Sequence, residues 1–361
     1  VSGSPFLTPD QSRLRRQRQV ARRRRRRIIG LTLTVLVAAA AIIAAVSAGG
    51  SSGRHAHTTT AAKAVSAPAR RAPLLSADGL PLGKPALSLT GIADPAADPV
   101  QIHFHHPPRA GILFNLATGQ VLWQRHAYER VRIASLTKMM TALLVVRSSP
   151  PDAPVLITRN AIDTSGSKVG VLPLHRHVML ETMLYGLLLP SGNDAAVALA
   201  EHVAGSVTAF VARMNSEAAS LGMGCTRYSS PSGYYNQGNF SCAADLALLA
   251  HVDIEQPRIA QITRTYQAVL PFPIKGGKLY LYNNNPLLIY RYPGLTGLKT
   301  GYTEEAGRCL VATAERHGVR LGAIVLNSDA PGTQAKELLD RGFYDVYHQR
   351  HVTEPEVPPG A

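Results

Sequence analysis

Ser135 and Lys138 stand three residues apart in Arg132-Ile133-Ala134-Ser135-Leu136-Thr137-Lys138-Met139-Met140, where an apolar helix is expected to begin. Residues i and i+3 of a helix share a face, so this hydroxyl and this amine can meet. A serine hydroxyl is a weak nucleophile until a neighbouring base takes its proton. A helix N-terminus adds free N–H groups and a positive dipole end where an oxyanion would form. A second Ser-x-x-Lys, Ser165-Gly166-Ser167-Lys168, lies in a Gly/Ser-rich stretch whose flanks give no helix onset, so Ser165 is set aside as a nucleophile.

Two further tripeptides complete a chemistry: Ser191-Gly192-Asn193, in a turn between helical stretches, and Lys299-Thr300-Gly301, in a strand-like run. Ser135 would attack a carbonyl and become acylated. Lys138 would take its proton, which requires a neutral amine; burial and the second cation, Lys299, would both lower its pKa. Ser191 can relay a proton to a leaving amine, because a hydroxyl both donates and accepts. Asn193 can orient Lys138 and hold a substrate amide. Lys299 with the Thr300 hydroxyl offers a charge-assisted site for a carboxylate, and Gly301 would let a substrate backbone lie against the strand. No metal or other cofactor is required. Taken singly, each group has an ordinary reading as a helix cap, a turn residue or an exposed lysine. Only the joint occurrence points to a site.

Short apolar runs at 111–115 and 120–124, separated by Leu116-Ala117-Thr118-Gly119, predict a β-hairpin before the helix that carries Ser135. Helices are expected over 178–189, stopped by Pro190, then over 195–203 with Asn193 or Asp194 as cap, over 207–221 ending at Gly222, and over 245–251. Strand patterns follow at 266–272, 278–282, 298–302, 308–314 and 320–326, and a closing helix over 333–347. Strands at both ends with helices between them predict an α+β fold: an antiparallel sheet built from both chain ends and covered on one side, plus an all-helical lobe, with the site in a cleft between them.

The net charge of +15 is uneven, because the first 27 residues carry ten arginines against the single acid Asp10. This stretch (1–27) reads as a disordered basic tail on the cytoplasmic side. Residues 28–48 run without a charge for 21 positions, matching a membrane-spanning helix of ~20 residues, and the preceding arginines keep the N-terminus inside. A cleaved signal peptide is the competing reading, since Val46-Ser47-Ala48 ends in small residues. Residues 49–107, rich in Ala, Ser, Thr, Pro and Gly, are expected to be a flexible linker, with His103, His105 and His106 in a solvated loop rather than a metal site. The folded domain is placed at 108–348 and a short tail at 349–361. Cys309, in an apolar run, is expected to be a buried thiol. Cys225 and Cys242 would be able to pair in an exported domain, although their proximity is not legible in the sequence.

Ser-x-x-Lys, Ser-x-Asn and Lys-Thr-Gly in this order form the signature of penicillin-binding proteins and class A β-lactamases. Around these motifs, in Leu188-Leu189-Pro190-Ser191-Gly192-Asn193-Asp194-Ala195 and Gly297-Leu298-Lys299-Thr300-Gly301-Tyr302-Thr303, the chain resembles the serine D-Ala-D-Ala carboxypeptidases, low-molecular-mass penicillin-binding proteins, over about residues 105–348. The resemblance implies a β-lactamase/transpeptidase-like fold. It also implies an oxyanion hole from the N–H groups of Ser135 and Tyr302, peptidoglycan stem peptides as substrate, and β-lactam antibiotics as ligands.

No glutamate occurs between Glu217 and Glu255, where a class A β-lactamase would carry the residue that activates its deacylating water, so a long-lived penicilloyl adduct is expected. The loop 328–333 lacks the arginine that many relatives use on the substrate carboxylate. The expected protein is thus a carboxypeptidase anchored in the cell membrane by its N-terminal helix, or secreted if that segment is cleaved. A D,D-endopeptidase and a catalytically degenerate envelope binding protein are the alternatives. A nucleic-acid partner, suggested by the arginines alone, is not expected beside an apolar span.

Overall fold

The computed structural model describes residues 74–92, 98–234, 238–274 and 276–348. The basic tail, the apolar span, the first part of the linker and the C-terminal tail expected from sequence lie outside these residues.

Five strands build the main sheet: β1 (Ala110–Asn115), β2 (Val121–Arg125), and the three long strands near the C-terminus. Short strands come between: β3 (Val131–Arg132), β4 (Pro154–Leu156), β5 (His177–Met179), β6 (Phe240–Ser241), β7 (Gln267–Pro271) and β8 (Lys278–Tyr282). The long strands are β9 (Leu295–Thr303), β10 (Gly307–Arg316) and β11 (Val319–Ser328). The sheet order is β2-β1-β11-β10-β9, antiparallel throughout, so the two chain ends meet at the β1–β11 pairing. β7 and β8 form a two-stranded ribbon of their own rather than joining the sheet. Their alternating exposure, with Tyr280 and Tyr282 outward and Leu279 and Leu281 inward, gives them one buried face only.

The sheet is covered on both faces, not one. Ile112, Phe114, Val311, Ile324 and Leu326 face the helical lobe. Leu113, Leu310, Ala312, Ala323 and Val325 face the closing helix. Alternate residues of a strand point to opposite faces, so burial on both sides produces the unbroken apolar run seen in β1, every residue of which is buried.

The helices are α1 (Lys138–Ser148), α2 (Arg159–Asp163), α3 (Leu180–Leu188), α4 (Asn193–Ala204), α5 (Val207–Ser220), α6 (Ala243–Ile254), α7 (Pro257–Thr263), α8 (Pro286–Ile289) and α9 (Pro331–Arg341). α9, continued by a π-turn through Val346, covers the outer face of the sheet. α6 lies under the inner face and also packs on α1. α1 is the axis of the helical lobe, touching α3, α4, α5, α6 and α7. Met139, Met140, Ala142, Leu143 and Val145 are all buried on it, so it lacks the one-sided apolar stripe of a surface helix.

The expected linker ends earlier than residue 107. Leu87 and Val100 are buried in the two cores, and the Val100 N–H donates to Leu122 O at 2.8 Å. A Pro- and Ser-rich segment lacks periodicity, but it can still lie along a finished domain through isolated anchors. Cys225 and Cys242 are joined in a disulfide, with Cα atoms 5.7 Å apart, and Cys309 is a buried free thiol.

Candidate active site

The nucleophile turn precedes α1 as a 3-10 helix, Ala134–Thr137, rather than as the first turn of the α-helix itself. Ala134 adopts φ +46°, a left-handed conformation that L-residues rarely hold. Strain of this kind persists where the surroundings over-determine it. Here β3, directly before the turn, pairs with β6, Val131 opposite Ser241. Asn239, just before β6, donates from Nδ2 to Thr137 Oγ1 at 3.1 Å.

Lys138 is wholly buried at the head of α1. Its Nζ lies 2.8 Å from Ser135 Oγ, 2.7 Å from Asn193 Oδ1 and 2.9 Å from Ser232 O. Burial, and then the nearby charge of Lys299, hold the amine well below the ordinary lysine value, against a smaller upward pull from Asp194. The two carbonyl oxygens can only accept, so each binds one N–H of the amine. A neutral amine has two N–H groups and one lone pair, which leaves the lone pair for the Ser135 hydroxyl proton.

Asn193 is the first residue of α4, not its cap. Gly192 holds the cap position without a side-chain bond. The Asn193 amide instead bridges elements: Oδ1 to Lys138, and Nδ2 to Ser165 O at 2.7 Å. Asp194, buried beside it, accepts from the N–H groups of Val169 and Gly170, both at 2.9 Å. The second Ser-x-x-Lys segment, rejected as a nucleophile, is therefore the loop clamped over the site, and Ser167 lines the cleft.

Ser191 sits at φ +67°. Its Oγ is buried without a hydrogen-bond partner and lines the cleft beside Ser135 and Thr300. It makes no hydrogen bond among the described residues, so its donor and its acceptor capacity are both available to a group bound in the cleft.

Edge strand β9 brings the third motif. Lys299 is 2% exposed. Its Nζ donates to Thr300 O at 3.1 Å, and burial lowers the amine to about 7. A Cβ built at Gly301 would lie 2.9 Å from Ile133 O and 3.2 Å from Ser135 N. The missing side chain thus lets β9 close on the nucleophile turn, and Gly301 also lines the cleft. Tyr302 is exposed and, with Ser135 and Ser167, lines both wings of the cleft.

Of the eight residues singled out from sequence, Ser135, Ser191, Asn193, Thr300, Gly301 and Tyr302 line one cleft, and Lys138 and Lys299 are enclosed beside them, bonded to Ser135 and Thr300. Sequence reading missed Ser232, Asn239, Ser167 and Asp194, together with Glu304 and Glu305, which line one wing. Asp194 was within reach, since it adjoins a motif. The Ser232 contribution is a backbone carbonyl, for which no residue type is a signal.

The profile of a peptidase family described as D-alanyl-D-alanine carboxypeptidase matches residues 98–330. The D-alanyl-D-alanine carboxypeptidase DacF of Bacillus subtilis is 34% identical over 264 residues, 70% of this chain and 67% of that protein. A D-alanyl-D-alanine endopeptidase of Pseudomonas aeruginosa is 33% identical over 237 residues, 62% of this chain and 76% of that protein. Among solved structures, the Streptomyces K15 DD-transpeptidase superposes with a TM-score of 0.63 at 31% identity, over 67% of this chain and 99% of that one.

Proposed function

The chain belongs to the D-alanyl-D-alanine carboxypeptidase family of serine peptidases, and from that membership we propose how its own residues remove a terminal D-alanine from peptidoglycan stem peptides. Ser135 Oγ bonds to the carbonyl carbon of the penultimate residue while Lys138 Nζ takes the hydroxyl proton. The N–H groups of Ser135 and Tyr302 receive the oxyanion. The C–N bond then breaks, and the leaving amine takes a proton relayed through Ser191. Water hydrolyses the ester, its proton returns by way of Lys138, and Ser135 is restored. Asn193 holds Lys138 in place, and Lys299 with Thr300 receives the carboxylate end of the substrate.

One observation carries this reading: the enclosed Lys138 amine has two carbonyl acceptors and one hydroxyl, that of Ser135, around it. It is also the arrangement least compatible with a degenerate binding protein, which has no use for a buried amine held well below the ordinary lysine value beside a serine hydroxyl. The test is the intact mass of the full chain after brief incubation with a penicillin. A single stable adduct on Ser135, absent from Ser135→Ala, is expected. No adduct with the drug left intact would discard the mechanism, and rapid drug hydrolysis without an adduct would make the protein a β-lactamase.

The Pseudomonas relative named as an endopeptidase supports a second reading, cleavage of existing cross-links by the same residues. Turnover of monomeric against cross-linked muropeptides separates the two. We further propose that residues 28–48 hold the protein in the cell membrane with the peptidase domain outside. The support is the uncharged run behind ten arginines and the Cys225–Cys242 disulfide, a bond of oxidising compartments. Recovery of the full chain in the soluble fraction without proteolytic loss of this segment would refute the anchor.

A further inference from the structure

The two wings that meet at Ser135 differ in charge. One, of about 660 Å³, carries Arg132, Glu304 and Glu305. The other, of about 540 Å³, holds the Ser191 and Thr300 hydroxyls and, among the described residues, a single charged side chain, that of Arg308.

Arg308 pairs with Tyr302 in the β9–β10 register, and Leu310 with Thr300. Residues opposed across an antiparallel ladder project from the same face, so Arg308 stands on the face that Thr300 and Tyr302 present. The side chain is exposed, and its Nη1 donates to Asp329 O at 3.2 Å, which ties the guanidinium to the turn leading into α9. A guanidinium has five N–H groups in a planar fork that matches a carboxylate, and this bond occupies one of them. The turn itself, 328–333, contributes an acid, Asp329, and no cation.

Lys299 cannot be the whole answer for an anionic ligand in this wing. It is enclosed, and burial lowers its amine to about 7, so at neutral pH and above its charge is partial until a ligand arrives. An arginine stays charged throughout.

We propose that Arg308 is a specificity-determining residue of this enzyme, its guanidinium gripping the substrate's C-terminal carboxylate on the leaving-group side of Ser135, beside the Thr300 hydroxyl. The proposal rests on the carboxypeptidase reading above and adds to it the residue that selects a free C-terminus. With this grip a peptide ending in a carboxylate is favoured over the same peptide ending in an amide, whatever the state of Lys299.

The test uses the full chain and two substrates, an acyl-D-Ala-D-Ala peptide and its C-terminal carboxamide, with kcat/KM read for each from release of D-alanine or D-alaninamide. Arg308→Ala is expected to lower the value for the free acid roughly ten- to a hundredfold, the range of a charge-assisted hydrogen bond, and to leave the carboxamide within about twofold. Arg308→Lys is expected to recover part of the loss. An unchanged ratio of the two substrates in Arg308→Ala overturns the proposal. So does an equal loss on both, which would mean that Arg308 serves only to hold the Asp329 turn. A wild-type chain that turns over neither peptide and forms no penicillin adduct would overturn the carboxypeptidase reading itself, and this assignment with it.

Discussion

Lys138 on the helical side and Lys299 on the edge strand are both wholly enclosed, and burial lowers the amine of each. Their surroundings differ. Lys138 has three hydrogen-bond partners: two carbonyl acceptors, those of the Asn193 side chain and the Ser232 backbone, and the Ser135 hydroxyl. Lys299 has one acceptor among the described residues, the carbonyl of its own neighbour Thr300. The same residue type under the same burial therefore serves opposite ends. Acceptors fix two N–H groups of Lys138 and leave a lone pair in place, which is how a base is made. Lys299 lacks such fixing, so an arriving anion can restore its charge, which is how a binding site is made. Desolvation sets how far an amine falls, and hydrogen-bond partners decide what it then does.

Breaking the first half of this contrast should have the largest effect. Lys138→Met keeps the length of the side chain and removes the amine. Acylation by penicillin is expected to slow on the order of 10²–10⁴-fold, the usual contribution of a general base. Thermal stability should move little, because relief from burying an amine offsets the loss of a donor to Asn193 and Ser232. A variant that acylates at the wild-type rate in stopped-flow assays would remove Lys138 from the role.

The second half is sharpened by pH. The folded chain lets Lys299 lose its proton at about 7, whereas an unfolded lysine keeps its proton to roughly 10.4. Between these values the unfolded state binds more protons, so stability should rise with pH, and Lys138 acts in the same sense. Carboxylate recognition by Lys299 should weaken over that window, giving kcat/KM an alkaline limb that starts near pH 7. The limb should lie at higher pH in kcat, because bound carboxylate holds the proton on. Denaturant titrations and a pH–rate profile with opposite slopes would bear this out. Parallel slopes would mean that Lys299 does not titrate here.

The smallest effect concerns Ser191, which belongs to neither lysine but lies beside both motifs. Its left-handed backbone and partnerless hydroxyl each cost stability in the resting protein. Ser191→Gly should raise stability by about 1 kcal/mol, seen as a higher Tm, while turnover falls. A Tm that drops would show that the hydroxyl is satisfied in the resting enzyme.

What the chain order carried by itself was the chemistry-bearing side chains and the elements with strong local patterns. The three motifs, the 111–124 hairpin, the strands from 295 to 328 and the buried Cys309 thiol all depend on residue type at short spacing, and all are found where the spacing puts them. The tertiary structure decided everything that depends on backbone atoms or on long separations. The Ser232 carbonyl that fixes Lys138 is the same atom group at any residue, so no letter announces it. The clamp of Asp194 on residues 169–170 and the Cys225–Cys242 bond join positions whose distance is set by packing alone. The second cover of the sheet came from α6, whose place under β1 and β11 is long-range. The linker expected over 49–107 reads as such because its sequence is aperiodic, yet within it Leu87 and Val100 fill hollows that exist only once the domain has formed around them. Side-chain chemistry is local and therefore written in the chain, whereas its protonation state depends on neighbours and burial that only the fold supplies.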